Sequence, residues 1–365
     1  MSIKCGIVGL PNVGKSSMFN ALSSAGAEAE NFPFCTIDPN VGVVPVPDRR
    51  LEKLAELVKP EKTQPTAIEF VDIAGLVKGA SEGKGKGNAF LSHIREVDVI
   101  IHVVRCFNND DVIHVEGNVD PIRDIEIIES ELIFKDLESV ERREEKLKKQ
   151  SKSGDKTIEA QVGQIRKLRE HLEQGKPART FARNGHSEAW EDLMLLSLKP
   201  VLYVCNVDED DIPDTFENEA VQNVSNHAAS QGTETVVICA KIEAEIAELD
   251  EEEKESFLEA VGLEESGLDR LIKTAYKKLG LITYYTAGPK EVRAWAIPGG
   301  LKAPEAAGVI HSDFERGFIR AETIKYEDFG ECGSEAVARD KGKMRSEGRD
   351  YEVKDGDVIL FRFNV

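Results

Sequence analysis

The stretch Gly9-Leu10-Pro11-Asn12-Val13-Gly14-Lys15-Ser16 decides the fold of this chain. It matches the pattern GxxxxGK[ST], follows an apolar run over residues 3–8 and precedes a helical pattern over 17–22. In such a loop backbone N–H groups surround phosphates, the lysine reaches the β and γ oxygens, and the serine hydroxyl binds magnesium. We therefore predict a nucleoside triphosphate site whose binding residues include Asn12, Val13, Gly14, Lys15, Ser16 and Ser17.

Further apolar, β-branched runs predict strands that alternate with helical patterns. They cover residues 67–73, 97–104, 200–206 and 235–240. This alternation is typical of an α/β fold with a parallel sheet covered on both faces. A dinucleotide-binding fold is excluded because GxGxxG is absent. We expect residues 1–120 and 199–279 to form one P-loop domain.

Two other regions differ from this pattern. Residues 121–198 are rich in Glu, Lys, Arg and Leu, and their helical spacing is interrupted by a polar turn at 151–155, which predicts two antiparallel helices. Over 141–185, 13 Lys/Arg against 7 Asp/Glu give a net charge of +6, which fits either a partner contact or an ordinary solvated surface. Residues 280–365 predict a small domain of short mixed strands and turns, with a net charge of about −2 over 281–365.

Composition limits the classes of function. The net charge of −20 and pI near 4.9 exclude a protein that coats nucleic acid with its whole surface, so any such contact must be local. The six cysteines are isolated, without a CxxC pair, which indicates a reducing compartment. No run approaches the roughly 18 apolar residues that span a bilayer. We expect a cytoplasmic protein without a membrane partner.

The magnesium ligands are predicted from three segments. Asp72 ends an apolar strand in the motif DxxG, where an Asp holds magnesium through water and the backbone N–H of Gly75 approaches the γ-phosphate. Thr36 lies between this motif and the P-loop, where a switch loop would supply a ligand, although a threonine in a proline-bounded turn is the alternative. The predicted metal ligands are Ser16, Thr36 and Asp72.

A base-recognition element is predicted after the strand over 200–206. Guanine-specific sites use Asn-Lys-x-Asp, but here the residues are Asn206-Val207-Asp208-Glu209. The longer Glu209 carboxylate displaces the acceptor, and Val207 lacks the lysine stem that packs on the base. Loss of a required hydrogen bond weakens discrimination, so we expect reduced guanine preference or a switch to adenine. A guanine-specific site, or a strand end without this role, remains the alternative.

Together these motifs resemble the YchF or Obg-like ATPase family, in the Obg-related branch of translation-factor-class GTPases. The resemblance covers essentially the whole chain. It implies binding of ATP at least as readily as GTP, a coiled-coil insertion, and a C-terminal TGS domain of ubiquitin-like β-grasp shape. It also implies association with the ribosome, for which the helical insertion and the TGS domain are the candidate contacts to ribosomal RNA or protein.

Catalysis is the least determined step. Leu76 stands where related enzymes place a glutamine that orients water, so another group must supply that role or the rate will be low. We expect Lys15 to take part in catalysis, and the resemblance favours His114 as a second catalytic residue. A loop histidine without a role is the alternative. Asn12 resembles an asparagine with which some relatives hold potassium, so the expected cofactors are Mg²⁺ and K⁺.

Three functions remain open from the sequence. The first is an ATPase switch whose nucleotide state is read by the helical insertion and the C-terminal domain. The second is a nucleotide-gated RNA- or ribosome-binding module in which hydrolysis is secondary. The third is an ordinary guanine-specific GTPase.

Overall fold

The computed structural model describes residues 3–27, 40–73, 86–109, 114–152, 155–182, 188–212, 215 and 217–364. Within these ranges the strands are β1 Lys4–Val8, β2 Val41–Pro45, β3 Lys62–Gln64, β4 Ala67–Asp72, β5 Val99–Arg105, β6 Val201–Asn206, β7 Thr235–Ile238, β8 Leu281–Ala287, β9 Glu291–Pro298, β10 Phe318–Lys325, β11 Arg345–Glu347 and β12 Asp357–Phe363. The helices are α1 Lys15–Ala27, α2 Arg49–Val58, α3 Lys86–Glu96, α4 Pro121–Ser151, α5 Lys156–Glu173, α6 Ala178–Ala182, α7 Glu219–Ser230, α8 Ala240–Ile246, α9 Glu251–Ala260, α10 Gly267–Lys278, α11 Ala303–Ile310, α12 Ser312–Arg316, α13 Tyr326–Cys332 and α14 Glu335–Asp340.

The first compact unit comprises Ile3–Val44 and Glu69–Arg270 and contains the sheet β2-β4-β1-β5-β6-β7. Strand β1 pairs in parallel with β4 and β5, and β6 pairs in parallel with β5 and β7. Every residue of β5 and β6 is buried, as in parallel strands that are covered on both faces. The predicted parallel α/β fold is confirmed, and β2 is a strand that the sequence patterns did not reveal.

The carboxyl ends of these parallel strands determine where a site can form. Four of the strands end at Val8, Asp72, Arg105 and Asn206. In open parallel sheets ligands bind outside the carboxyl ends of the strands, where the connecting loops meet. The P-loop and the predicted base-recognition element therefore belong to the same edge of the sheet.

The segment between β5 and β6 contains a helical arm, which consists of α4 and α5. Each helix is capped by an aspartate: Asp120 accepts a hydrogen bond from the Arg123 N–H, and Asp155 accepts one from the Thr157 N–H. The polar turn predicted at 151–155 is where α4 ends and α5 begins. Among the described helices, including the 31-residue α4, none is long and apolar enough to cross a membrane. The arm is held by a seam of buried apolar side chains: Val140, Leu147, Val162, Ile165, Leu168 and Leu172.

Polar groups buried at the base of α4 fix the arm. The Asp136 carboxylate accepts hydrogen bonds from the backbone N–H groups of Leu196 and Ser197, both at 2.8 Å, and from the Ser197 hydroxyl at 2.6 Å. Burial nevertheless raises the pKa of Asp136 to about 6. Glu129 of the same helix pairs with Arg179 and accepts a hydrogen bond from the Tyr203 hydroxyl at 2.7 Å. Buried carboxylates are retained at low cost only when they are satisfied in this way.

The second compact unit contains the sheet β11-β10-β12-β8-β9-β3. The hairpin β8–β9 is antiparallel, β12 lies parallel to β8 in the centre, and β10 is antiparallel to β12. This strand order, with α11 between β9 and β10, is the predicted β-grasp arrangement. One sheet face packs Tyr284, Ile297 and Phe361 against alanines of α11, and the other packs Tyr285 and Val292 against Leu51 and Leu54 of α2.

The compact units differ from the predicted domain boundaries at residues 45–68 and at residues 271–279, which we expected in the P-loop domain and which group with the C-terminal residues. We expected residues 1–120 to lie in the P-loop domain, whereas residues 45–68 group with residues 271–364. Strand β3 extends the β-grasp sheet by pairing with β9, and the Arg50 guanidinium donates to Asp355 at 2.6 Å. The Tyr285 hydroxyl also hydrogen-bonds to Asp48. These pairings join positions more than 200 residues apart, so the local sequence pattern carried no signal of them.

Candidate nucleotide-binding site

The P-loop connects β1 to α1. Helix α1 begins at Lys15, and the Met18 N–H donates to the Gly14 carbonyl at 3.0 Å. Asn12 and Gly14 both have positive φ, at 64° and 92°. Glycine adopts this conformation without strain, and short polar residues tolerate it best among the others. The loop therefore turns sharply enough to direct backbone N–H groups inward at the start of a helix, which favours an anion.

Two glycines of the loop are also required by close contacts. A Cβ on Gly9 would lie 2.7 Å from the carbonyl oxygen of Val103, and a Cβ on Gly14 would lie 2.1 Å from Asn206 Nδ2. The first contact is with backbone, which cannot move aside. The second is with a buried side chain that is fixed by its own hydrogen bonds. The spacing of glycines in the motif is thus set by packing as well as by the turn.

The phosphate end of the site brings Lys15 together with Asp72. The Lys15 ammonium lies 3.1 Å from Asp72 Oδ1, and both side chains are largely buried, at 11% and 21% exposure. Register in the sheet explains this pair, because Asp72 lies beside Ile7 at the end of β4. The predicted phosphate cation and the predicted metal carboxylate therefore converge at one point.

The donor set at this end fits magnesium. The Ser16 hydroxyl and the Asp72 carboxylate are oxygen donors, which Mg²⁺ prefers, and Mg²⁺ usually takes one or two protein ligands together with substrate phosphates and waters. The described residues contain no group of three or more His, Cys, Asp or Glu arranged to hold a metal ion. Thr36 and Gly75, also predicted for this site, lie outside the described residues.

The base end of the site is organised by Asn206. Its Nδ2 donates to the Val13 carbonyl at 2.9 Å, and its Oδ1 accepts from the Ala240 N–H at 2.9 Å. The side chain thus joins the P-loop to the loop between β7 and α8. Val207, next in the chain, is buried and its N–H donates to the Ile238 carbonyl at 2.9 Å.

Glu209 does not present a free carboxylate to the site. It pairs with Lys241 at 2.6 Å, with side-chain exposures of 37% for Glu209 and 70% for Lys241. The hydrogen bond to Glu209 raises the pKa of the Lys241 ammonium above its usual value. In a guanine reader the corresponding carboxylate must accept from the base, and here one of its oxygens is engaged by a lysine.

A cleft of about 820 Å³ joins the two ends. We call it the nucleotide cleft. Most of the residues predicted to bind nucleotide line it, whereas Val13 contributes its carbonyl to Asn206 and Glu209 lies beyond the lining. Within the described part of the chain the lining residues are Leu10, Pro11, Asn12, Gly14, Lys15, Ser16, Ser17, Phe107, Asn109, Asn206, Val207, Asp208, Cys239, Ala240, Lys241 and Ala244.

Sequence reasoning missed the loop that follows β5. Phe107 and Asn109 line the nucleotide cleft, and Arg105 holds their loop from beneath by donating to the Phe107 carbonyl at 3.2 Å and the Asn109 carbonyl at 3.1 Å. The Arg105 guanidinium also lies 4.4 Å from the centre of the Phe107 ring. A signal was present, because Arg105 ends a mostly apolar parallel strand at the edge of the sheet where ligands bind.

His114 lies against the first turn of α4. Both it and Asp124 of α4 are buried, with 3% side-chain exposure, and His114 Nε2 lies 2.7 Å from Asp124 Oδ2. The Glu116 N–H donates to His114 Nδ1 at 3.1 Å, which assigns the ring proton to Nε2. Both ring nitrogens are therefore engaged within the protein, and His114 is not among the described residues that line the nucleotide cleft.

Comparison with known proteins gives the same fold over the whole chain. The family model YchF-GTPase_C, described as "Protein of unknown function (DUF933)", matches residues 281–364, and MMR_HSR1, described as "50S ribosome-binding GTPase", matches residues 4–159. The chain is 58% identical over 366 residues to the ribosome-binding ATPase YchF of Bacillus subtilis (strain 168) and 55% identical over 367 residues to that of Escherichia coli O157:H7, with 100% of both chains covered in each case. It is also similar to the solved structure of the Schizosaccharomyces pombe YchF GTPase, with a TM-score of 0.88, 39% identity, and coverage of 99% of this chain and 98% of that one.

Proposed function

Because the chain belongs to the YchF family, we propose that it is a nucleotide-dependent switch ATPase that binds and slowly hydrolyses ATP, accepts GTP as well, and associates with the ribosome. The observation that carries the proposal is the nucleotide cleft, which is lined at one end by Lys15, the partner of Asp72, and has the Glu209–Lys241 pair near the other. A cytoplasmic location goes with this function and remains a prediction.

Each part of the cleft has a separate task in this proposal. The P-loop N–H groups and Lys15 bind the β- and γ-phosphates, and Asn206 keeps the P-loop and the base loop at a fixed separation. Ser16 and Asp72 would hold magnesium, together with Thr36, and the bound ion would neutralise charge on the phosphates. Asn12 is the candidate ligand for potassium. Its left-handed backbone places it within the turn of the loop.

Adenine tolerance follows from the base end. Guanine is selected by a carboxylate that accepts two hydrogen bonds, and adenine lacks those donors. With Glu209 paired to Lys241, a guanine gains less than it does in a dedicated reader, so the preference for GTP falls. The pair is exposed and therefore weak by itself, which leaves GTP binding reduced rather than abolished.

In this proposal the rate of ATP hydrolysis depends on His114. A histidine that orients water must present a ring nitrogen to the γ-phosphate end, yet both nitrogens of His114 are engaged by Asp124 and Glu116. Hydrolysis would then require His114 to leave Asp124. Slow turnover by the free protein is the consequence, because that exchange breaks a buried hydrogen-bonded pair.

A nucleotide-gated ribosome-binding module is the second candidate, and the engaged state of His114 is the observation that favours it. The two functions separate in one experiment. ATP turnover and co-sedimentation with ribosomes are measured for His114→Ala and for His311→Ala, whose side chain is 61% exposed in the other unit. If the protein is a switch ATPase, His114→Ala turns over ATP at least tenfold more slowly and stays bound to ribosomes when ATP is supplied. His311→Ala then behaves like the wild type. Unchanged release from ribosomes by His114→Ala would favour the gated module.

The helical arm is the candidate ribosome contact in the first unit. Glu144, buried in α4, is surrounded by Lys148 at 2.7 Å, Arg169 at 3.0 Å and Arg166 at 3.5 Å. Burial alone would raise the pKa of Glu144, but the hydrogen bond from Lys148 and the charge of Arg169 outweigh it and lower the pKa. Arg169 also pairs with Glu173 at 3.3 Å, so three cations and two anions leave one net positive charge at this point of the arm. Its contacts with ribosomal phosphates should weaken as salt is added.

A further inference from the structure

A buried arginine holds the loop that follows β5. Arg105 is the last residue of the strand and is only 2% exposed. Its Nε donates to the Phe107 carbonyl at 3.2 Å, and its Nη2 donates to the Asn109 carbonyl at 3.1 Å. Phe107 and Asn109 both line the nucleotide cleft. The position of one part of the cleft wall therefore depends on Arg105.

The charge of Arg105 is compensated from the helical arm. Backbone carbonyls accept its hydrogen bonds but carry no net charge, and burying a cation is costly unless an anion lies near it. Burial lowers the pKa of Arg105, and the charge of Asp124 opposes that change. The guanidinium stays protonated, because its ordinary pKa is far above neutral pH. Asp124 lies in the first turn of α4, a helix that packs against β5.

The same carboxylate holds His114. Asp124 Oδ2 lies 2.7 Å from His114 Nε2, and both side chains are buried. Asp124 Oδ1 also accepts from Arg123 Nη2 at 3.2 Å, but the Arg123 side chain is 29% exposed, so solvent screens its charge more strongly. Asp124 is thus shared by a histidine and two arginines, and Arg105 is the more deeply buried of the two.

Arg105 and Asp124 hold the two ends of one short segment. Asn109 is hydrogen-bonded to Arg105, and His114, five positions later, is hydrogen-bonded to Asp124. Residues 110–113 lie outside the described residues. Five residues of fully extended chain reach about 18 Å at most. The bond between Arg105 and Asn109 therefore limits how far from the cleft wall His114 can lie after it has left Asp124.

Hydrolysis in the proposed function requires His114 to leave Asp124. That step removes a partner from a buried carboxylate, and a buried charge without compensation is strongly unfavourable. A cation that stays in place lowers this cost, because charges attract more strongly in the protein interior than in water. Arg105 can stay in place, since its hydrogen bonds to Phe107 and Asn109 do not involve His114.

We propose that Arg105 is a positioning residue for ATP hydrolysis, which fixes the cleft wall at Phe107 and Asn109 and stabilises the Asp124 carboxylate when His114 leaves it. This role rests on the proposed function, in which His114 orients the attacking water. Arg105 acts through Asp124 and His114 and not on the reacting atoms. Its loss should therefore slow hydrolysis and leave ATP binding largely intact.

Three substitutions separate the charge of Arg105 from its hydrogen bonds. Arg105→Gln removes the charge but keeps an amide donor for the loop carbonyls, and Arg105→Lys keeps the charge. Lys199→Gln is the matched control. Lys199 also donates to two backbone carbonyls, of Arg95 at 3.1 Å and Val97 at 2.6 Å, and burial lowers its pKa against the charge of Asp98. It precedes β6 and so lies at the opposite end of the sheet from the cleft.

Turnover and ATP affinity are measured separately, by steady-state hydrolysis and by titration with fluorescent ATP. Arg105→Gln should lower kcat about tenfold and change the dissociation constant less than threefold. Arg105→Lys should restore kcat to within about threefold of the wild type, and Lys199→Gln should change neither quantity. Thermal unfolding shows which variants are folded. Equal losses of kcat and affinity, or an Arg105→Lys variant as slow as Arg105→Gln, would overturn the proposal.

A double-mutant cycle tests whether Arg105 acts through Asp124 and His114. In the background of Asp124→Asn or His114→Ala, the further change Arg105→Gln should alter kcat less than twofold, because the group through which it acts is already absent. A tenfold loss in either background would mean that Arg105 acts elsewhere and would overturn the proposal.

His114 can also be observed without turnover. Isotope-labelled histidine gives an NMR signal for the His114 ring, which is assigned by its absence in His114→Ala. Magnesium and a non-hydrolysable ATP analogue should change this signal in the wild type, and Arg105→Gln should suppress the change. An unchanged signal in the wild type, or the same response in both proteins, overturns the inference even if ATP is hydrolysed. A wild type without ATP turnover refutes the proposed ATPase, and the His114 signal then still decides the role of Arg105.

Discussion

Asn206 at the end of β6 is hydrogen-bonded to the P-loop at Val13, with 2.9 Å between Nδ2 and the carbonyl oxygen. The two residues are 193 positions apart, and the other end of the same amide accepts from the Ala240 N–H. Asn206 therefore sets the distance between the phosphate and base ends of the nucleotide cleft. The affinity for any nucleotide that spans the cleft should therefore depend on the buried Asn206 side chain.

Asn206→Ala should weaken ATP and GTP equally, because it removes a spacer rather than a base contact. We expect both dissociation constants to rise at least tenfold. The free energy of unfolding should fall by about 1–3 kcal/mol, because the Val13 carbonyl and the Ala240 N–H lose their partner. Nucleotide titration and denaturant unfolding measure the two effects. Asn223→Ala, at an exposed position of α7, is the control and should change neither. A loss confined to GTP would assign Asn206 to base reading instead.

Gly14→Ala should abolish nucleotide binding. The new Cβ would lie 2.1 Å from Asn206 Nδ2, and the backbone φ of +92° is strained for alanine by about 1–2 kcal/mol. Gly163→Ala is the matched control, because Gly163 lies inside α5 and an added Cβ would have no heavy atom within 4 Å. That change should leave binding intact and stabilise the protein by up to about 1 kcal/mol. Near-normal ATP affinity in Gly14→Ala would show that the loop tolerates a wider turn.

Two substitutions in the predicted base-recognition element should shift its preference from ATP toward GTP. In Val207→Lys/Glu209→Asp the shorter carboxylate no longer reaches Lys241, and the lysine stem packs on the base. We expect the ratio of GTP to ATP affinity to rise at least tenfold, through tighter GTP binding. Competition between the two nucleotides measures this ratio. Asp210→Asn, a neutralisation in the same short helical turn, should leave the ratio unchanged. A double variant that keeps the wild-type ratio would place base selection elsewhere.

His102 makes stability depend on pH. It is buried in β5, and burial lowers its pKa from 6.5 to about 4 against the opposing charge of Glu129, with smaller lowering contributions from Arg179 and His227. The folded protein thus binds fewer protons than the unfolded chain between pH 6.5 and 4, so stability falls as pH falls through that window. The full effect is about 3 kcal/mol.

His102→Leu should remove this contribution. The decrease in unfolding free energy between pH 7 and pH 4.5, measured with denaturant, should be smaller in the variant by about 2–3 kcal/mol. His311→Leu provides the control, since that side chain is 61% exposed and should leave the pH dependence as in the wild type. Identical pH profiles for wild type and His102→Leu would mean that another group is responsible.

The parts of the site that the sequence predicted are those encoded by adjacent residues. The P-loop could be identified because β1, the glycines, Lys15 and the start of α1 follow one another directly, and Asn206 could be singled out because it ends an apolar strand. Lys15 and Asp72 were predicted separately, as the phosphate-binding lysine and a magnesium ligand, and the register of β1 with β4 brings them together. Thr36 and Gly75 lie outside the described residues and remain predictions.

What the sequence did not reveal depends on contacts between distant positions. Nothing near Asp48 or Arg50 indicates that their partners are Tyr285 and Asp355, so the predicted P-loop domain included residues 45–68, which group with the second unit. The partner of Glu209 was missed for the same reason, because Lys241 lies on another loop. His114 was proposed from family resemblance, and its burial against Asp124 could not be derived from a polar loop sequence.

The most direct test of the proposed function is a titration of nucleotide-free protein with fluorescent ATP and GTP in magnesium and potassium. Because the Glu209 carboxylate is paired with Lys241, we expect ATP to bind as tightly as GTP or more tightly. A GTP affinity that exceeds that of ATP by tenfold or more would contradict an ATPase and restore a guanine-specific GTPase.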